Sequence, residues 1–205
     1  MNGVVQRICE RDPYLSLIAD REFTTFYQKD IVDMWGDNPY TLFVEEGMFF
    51  YGIVRLLKPE AVLETGTNLG LSTRFMALAM EDNGKGKLIT VEHDRTVYET
   101  VCKKLEPYPN AHPLRANAMD LDLGDRKFDM MFLDTEFITR FREMEKYWGN
   151  VTPGGVVFVH DCLSVDCKRF HGAPEVEWAA KVHLVSPHGM LMFQKGGVDY
   201  EATYG

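Results

Sequence analysis

Residues 61–73, Ala-Val-Leu-Glu-Thr-Gly-Thr-Asn-Leu-Gly-Leu-Ser-Thr, set an acidic side chain beside two closely spaced glycines. An apolar run reaches Glu64, a loop holds Gly66 and Gly70, and a helical pattern starts at Leu71. Strand, glycine loop and helix in this order present a nucleotide-like ligand at the carboxyl end of the strand. Glycine lets the backbone turn sharply and approach a ligand closely. The spacing is Glu-x-Gly-x-x-x-Gly, not the Gly-x-Gly-x-x-Gly that seats a pyrophosphate on a helix N-terminus. Glu64 would repel a phosphate and suits a ligand with a cationic ammonium or sulfonium end.

Other polar groups close apolar runs in the same way. Glu92 ends Lys87-Leu-Ile-Thr-Val-Glu92, 22 positions after Gly70. An ionised carboxylate has only acceptors, so it can take hydrogen bonds from both hydroxyls of a ribose. Asp134 ends Met130-Met-Phe-Leu-Asp134, and His160-Asp161-Cys162 ends Val156-Val-Phe-Val. Carboxylates at strand ends face the crevice where α/β ligands bind. Asp161 and Asp134, with His160, are therefore the candidates for catalytic or metal-binding use. A helix N-cap is the competing reading of Asp134.

Positioning these groups takes an alternating chain. Apolar spacing gives a helix over 44–57, ended by Lys58-Pro59. Strands are expected at 60–64, 87–92, 112–115, 128–134 and 156–160. Helices are expected at 71–81, 95–106 and 137–148, and 174–181 is helix-prone. Thr152-Pro-Gly-Gly155 reads as a turn, and a final hairpin is expected at 182–186 and 190–195, turning at Pro187-His-Gly189. Short helices are expected near 14–20 and 22–34, then a loop at 35–40. The cadence implies an α/β fold, a parallel sheet covered on both faces. The acidic stretch Glu143–Glu145 reads as helix surface, and His188 is given no role.

Residues 61–73 resemble motif I of class I S-adenosylmethionine-dependent methyltransferases, and the likeness extends along most of 45–195. The run Leu-Glu-Thr-Gly-Thr-Asn-Leu-Gly-Leu-Ser-Thr is most similar to the small-molecule O-methyltransferase branch, where catechol O-methyltransferase-like enzymes read Glu-x-Gly-Thr-x-x-Gly-x-Ser. The resemblance implies a Rossmann-like methyltransferase fold: a mostly parallel seven-stranded sheet, helices on both faces and an antiparallel C-terminal hairpin. It implies a helical cap over 1–43 and an S-adenosylmethionine-binding domain over 44–205. The cofactor it implies is S-adenosyl-L-methionine. Glu64, Gly66, Thr67, Asn68, Gly70 and Ser72 would surround its methionine part, Glu92 its ribose, and His93 its adenine. Asn117, Ala118, Met119 and Asp134 would complete the site, with Met119 soft enough to pack on the ring.

In the catechol branch an Asp ending strand four and an Asp-Asn pair ending strand five bind Mg2+, a hard cation suited to oxygen ligands. Asp134 and Asp161 match the aspartates, whereas Cys162 stands where Asn is expected, and thiolate is a poor Mg2+ ligand. Two readings stay open. Asp134 and Asp161 hold Mg2+ or another divalent metal, with His160 favouring a transition ion, or, without one, His160 or Asp161 acts as general base toward a substrate hydroxyl.

Composition narrows the partners. The chain has 205 residues, 45% of them apolar, and a net charge of −9, which disfavours a nucleic-acid backbone. The cysteines Cys9, Cys102, Cys162 and Cys167 show no CxxC spacing, so free thiols in a reducing cytoplasm are expected. There is no apolar run long enough for a membrane helix, and the N-terminus is too polar for a signal peptide. The expected partner is a small-molecule acceptor. Lys168, Arg169, Phe170 and His171, in the 164–173 loop, would suit an anionic or aromatic one. Phe23, Phe26, Tyr27 and Trp35 would form a lid or a homodimer surface. An NAD-dependent oxidoreductase is disfavoured by the missing Gly-x-Gly-x-x-Gly. A non-catalytic S-adenosylmethionine-binding protein and a metal-dependent oxidative enzyme on the same fold are the remaining alternatives.

Overall fold

The computed structural model describes residues 3–11, 44–162, 176–184 and 189–197. Helices α1 (Gly3–Arg11) and α2 (Val44–Leu57) precede an alternating series. It runs β1 (Ala61–Thr65), α3 (Leu71–Asn83), β2 (Lys87–Glu92), α4 (Arg95–Leu105), β3 (Ala111–Arg115), β4 (Phe128–Leu133), α5 (Arg140–Tyr147), β5 (Val151–His160), β6 (Ala180–Leu184) and β7 (Met190–Gln194). The helices expected at 14–20 and 22–34, the 35–40 loop, the aromatic lid residues, the 164–173 loop and His188 lie outside the described residues.

The strands form one seven-stranded sheet in the order β3-β2-β1-β4-β5-β7-β6. β1 through β5 run parallel, and β7 enters antiparallel between β5 and β6. The chain steps outward from β1 to β3, then returns to β4 on the other side of β1. That reversal opens a crevice beyond the carboxyl ends of β1 and β4, where open α/β sheets bind ligands. Glu64, Glu92, Asp134 and Asp161 all lie at that end of the sheet.

Period-two alternation explains the apolar runs. Val62, Met130, Phe132, Val156 and Phe158 pack on one face against Phe50, Val54 and the buried side chains of α3. Leu63, Met131, Leu133, Val157 and Val159 pack on the other, against Phe141, Met144 and Tyr147 of α5. Both faces are covered, so the strands read as continuous hydrophobic segments. α1 docks on the end of α3 through Arg7–Asp82 and Arg11–Glu81 pairs, each at 2.8 Å.

Three expectations are corrected. Residues 180 and 181, assigned to a helix-prone 174–181 segment, begin β6; pairing with β7 outweighs local helical preference, and the hairpin starts two residues earlier than expected. Residues 152–155 belong to β5 rather than to a separate turn. They pass through a register shift opposite β4, with Gly154 at φ 77°. Glu143 is 1% exposed rather than on the helix surface: its carboxylate accepts hydrogen bonds from Thr65 at 2.6 Å and from Thr135. It thereby fastens the ends of β1 and β4 together, and burial raises its pKa despite those bonds.

Candidate active site

The β1–α3 loop is shaped by backbone constraints. Gly66, Asn68 and Gly70 have φ of 83°, 47° and 73°. Gly66 and Thr67 both donate to the Val91 carbonyl, at 2.9 and 3.2 Å, and Asp134 donates to that of Thr65 at 2.9 Å. A Cβ on Gly66 would collide with the Asp134 carbonyl and lie 2.9 Å from Thr135 N. Glycine at 66 is thus required twice, for its positive φ and for the close approach of the β1 and β4 ends.

Glu64 is fully buried beneath this loop. It accepts hydrogen bonds from Ser72, from Thr73 at 2.5 Å and from Thr90 at 2.6 Å. Burial pushes its pKa up to about 7, against the lowering effect of the three hydroxyls. Thr67 pairs with Thr90. Ser72, Thr73 and Thr90 thus converge on Glu64, and Thr67 joins them through Thr90, bracing the loop from below.

Glu92 ends β2 and is 6% exposed. Its carboxylate accepts from Asn68 N at 3.0 Å and Asp94 N at 2.8 Å. Each carboxylate oxygen has two acceptor directions, so these bonds fix the group without exhausting it. His93 is exposed, with Nδ1 3.3 Å from Glu92. Asn117 caps the 3-10 turn Ala118–Asp120 by accepting from Met119 N at 2.8 Å. Ala118 is buried and Met119 half-buried.

The ends of β4 and β5 carry a charged cluster. His160 Nδ1 lies 3.0 Å from Asp134 Oδ1 and 3.5 Å from Asp161 Oδ2. Its Nε2 lies 3.2 Å from Glu46 Oε1, on α2. Arg140, the first residue of α5, reaches Asp134 Oδ1 at 2.9 Å and Asp161 Oδ2 at 2.8 Å. It also donates to the Thr135 and His160 carbonyls at 2.8 and 2.7 Å, and its guanidinium covers the Phe137 ring at 4.8 Å. Burial works against charging His160, but the Asp134 charge and hydrogen bonds to Asp134, Asp161 and Glu46 hold its pKa well above the usual imidazole value. Asp134 does not cap α5, whose N-cap is Thr139.

Exposure separates the roles within this cluster. The side chains of His160, Glu46 and Arg140 are 3%, 3% and 5% exposed, whereas Asp134 and Asp161 are 16% and 17% exposed. The aspartates are the members that reach the crevice. Among the described residues nothing donates to Asp134 Oδ2. Asp161 is held at φ 56°, a left-handed conformation that asparagine and aspartate tolerate best. Glu46 and Arg140 were not anticipated. Glu46 leaves one trace, sharing the i, i+4, i+8 stripe of α2 with Phe50 and Val54, both fully buried. A carboxylate on a core-facing stripe implies a buried partner.

A metal needs ligand atoms close together, and one atom each from Asp134, His160 and Asp161 lie within 4.8 Å of one another. Asp134 Oδ1 and Asp161 Oδ2, however, already receive Arg140. An ion about 2.1 Å from them would stand roughly 5 Å or less from a guanidinium nitrogen, cation against cation. Cys162, at the expected Asn position, turns its thiol to the Val159 carbonyl at 3.1 Å. As arranged, the residues do not fit a hard divalent ion.

Sheet order, glycine loop and strand-end carboxylates are those of the Rossmann-like methyltransferase fold. Residues 63–162 match a family model described as a methyltransferase domain. No curated protein matches the chain. Among solved structures it is similar to the O-methyltransferase TomG from Streptomyces achromogenes, involved in tomaymycin synthesis and crystallised with S-adenosylmethionine. The identity is 20%, covering 96% of this chain and 100% of that one, with a TM-score of 0.67. It is also similar to the methyltransferase PaMTH1 of Podospora anserina, bound to S-adenosylhomocysteine (14% identity, 83% and 86% coverage, TM-score 0.69). A third is the O-methyltransferase of Bacillus cereus in complex with S-adenosylhomocysteine (16%, 93% and 99%, 0.66).

Proposed function

We propose that the chain transfers a methyl group from S-adenosylmethionine to the hydroxyl of a small-molecule acceptor. The observation that carries this reading is the pair of partly exposed carboxylates, Asp134 and Asp161, beside the glycine loop of a methyltransferase fold. When bound, S-adenosylmethionine supplies the methyl on a sulfonium that is already a good leaving group. The chain must therefore align the acceptor and take its proton.

The Gly66–Gly70 loop would hold the methionine part. Glu92, fixed by Asn68 and Asp94, receives the ribose hydroxyls. His93 and the Asn117–Met119 segment border the adenine. Asp134 Oδ2 accepts the acceptor proton as its oxygen attacks the methyl carbon in line, and Asp161 orients the hydroxyl. His160 has both ring nitrogens engaged by carboxylates, so it positions Asp134 rather than serving as the base. No helix among the described residues is long and apolar enough to cross a membrane, consistent with an acceptor that arrives from water.

The test is calorimetric titration of S-adenosylmethionine and S-adenosylhomocysteine, followed by a screen of catechols, phenols and other hydroxylated acceptors by mass spectrometry. Micromolar binding and a product heavier by one methylene are expected. Absence of binding to either nucleoside sinks the reading. Binding without transfer to any acceptor favours a sensor on the same fold.

A further inference from the structure

We infer that Arg140 is the resident cation of this active site, standing where metal-dependent relatives would need a divalent ion. The inference rests on the methyl-transfer reading, since it concerns how the acceptor meets Asp134 and Asp161.

Two carboxylates whose nearest oxygens share one imidazole nitrogen repel each other, and something positive must hold them. Here a guanidinium does so, through Asp134 Oδ1 and Asp161 Oδ2 at 2.9 and 2.8 Å. It is not a loose surface group that an arriving ion could push aside. Its Nε–H donates to the Thr135 carbonyl, and Nη1 donates to His160 O as well as to Asp161. Phe137 lies under its plane, and 5% of the side chain is exposed. Displacing it would strand a buried guanidinium and two backbone carbonyls, which is costly. The planar fork suits this task, bridging two carboxylates while capping two strand ends.

The chemical consequence is specific. Guanidinium offsets part of the pair's charge but has no vacant coordination position and no Lewis acidity to lend an oxygen. As the acceptor oxygen bonds to the methyl carbon, the carbon–sulfur bond breaks with its electron pair left on sulfur. The acceptor proton passes to Asp134 Oδ2 and from there to water. Turnover then needs no divalent cation, and acceptors that rely on bidentate chelation lose that advantage.

The experiment is Mn2+ titration of the purified full chain, followed by the electron paramagnetic resonance signal of the free ion. Calorimetry of S-adenosylhomocysteine runs alongside. Wild type is expected to show no stoichiometric Mn2+ site below millimolar concentration. Arg140→Met, which frees the aspartates, should gain one Mn2+ per chain, and adding Asp161→Asn should remove it. One Mn2+ bound per wild-type chain, lost in Asp161→Asn, overturns the inference. A folded Arg140→Met chain that gains no ion also overturns it. Should Arg140→Met fail to fold, the wild-type titration and Asp161→Asn decide alone. Nucleoside binding is read separately, so failure of the methyl-transfer reading is distinguishable from failure of the Arg140 assignment.

Discussion

Nε2 of His160 lies 3.2 Å from Oε1 of Glu46, and both side chains are 3% exposed. This contact spans 114 residues and joins α2 to the end of β5. With Asp134 on the other ring nitrogen, carboxylates flank the imidazole on both sides and hold its pKa well above the usual value. Removing Glu46 leaves a buried charge short of a partner, which costs about 3 kcal/mol or more. Glu46→Ala should lower unfolding stability in urea by that amount, and Glu46→Gln, which keeps an acceptor, by less. A loss under about 0.5 kcal/mol would show that the pair contributes nothing net.

Glu92 makes a different prediction because its partners are backbone amides that survive substitution. Charge-assisted hydrogen bonds are worth about 1.5–3 kcal/mol each. Glu92→Ala should therefore weaken S-adenosylhomocysteine binding by about ten- to a hundredfold, read by calorimetry. Glu92→Gln should fall between. Unchanged affinity removes the ribose assignment.

Asp134 is expected to act on turnover. In Asp134→Asn the contact to Arg140 can persist through the amide oxygen, while the proton acceptor is lost. General-base contributions run about 10²–10⁴-fold. Turnover should fall within that range while cofactor affinity stays near wild type. Asp161→Asn should raise the acceptor KM more than it lowers turnover. Equal loss of cofactor affinity and turnover in Asp134→Asn would mean that the residue binds rather than reacts.

Gly66→Ala tests the close approach of β1 and β4. Its new methyl would meet the Asp134 carbonyl at a φ of 83°, so strain and displacement act together. Cofactor binding should be lost, with a stability decrease of more than about 1 kcal/mol in thermal unfolding. Gly84→Ala has a comparable φ of 70° but open space around it, and should leave binding intact. If the two variants bind alike, backbone strain alone accounts for the effect.

What could be read in advance followed local rules. β2 begins and ends where its apolar alternation does, and Glu64, Glu92, Asp134 and His160 could be found because each interrupts an apolar run at a strand end. Arg140 and Glu143 lie on an amphipathic helix whose polar residues look alike in sequence. Only the sheet order brings Arg140 across to Asp161, and Thr65 to Glu143 over 78 positions. β6 is hidden in the sequence for a related reason. Its side chains are mostly exposed, so it lacks a buried face to mark it, and its pairing with β7 is what makes it a strand.

Glu64 carries the pH dependence. Its folded-state pKa is about 7 against an ordinary 4.5, with burial as the main cause. A raised folded value means that the native state binds the proton more tightly than the unfolded chain. The contribution is therefore complete below about 4.5 and is lost as pH rises through about 7. A shift of this size corresponds to about 3 kcal/mol. Glu64→Gln cannot titrate, while Glu143 and His160 titrate in both proteins and largely cancel in the difference. Measured by urea unfolding between pH 4.5 and 8, wild type should lose stability relative to Glu64→Gln by up to that amount. A difference that stays constant across the range would mean that Glu64 keeps one protonation state throughout. The three hydroxyls would then be holding it ionised, and burial would not be the dominant influence on this carboxylate.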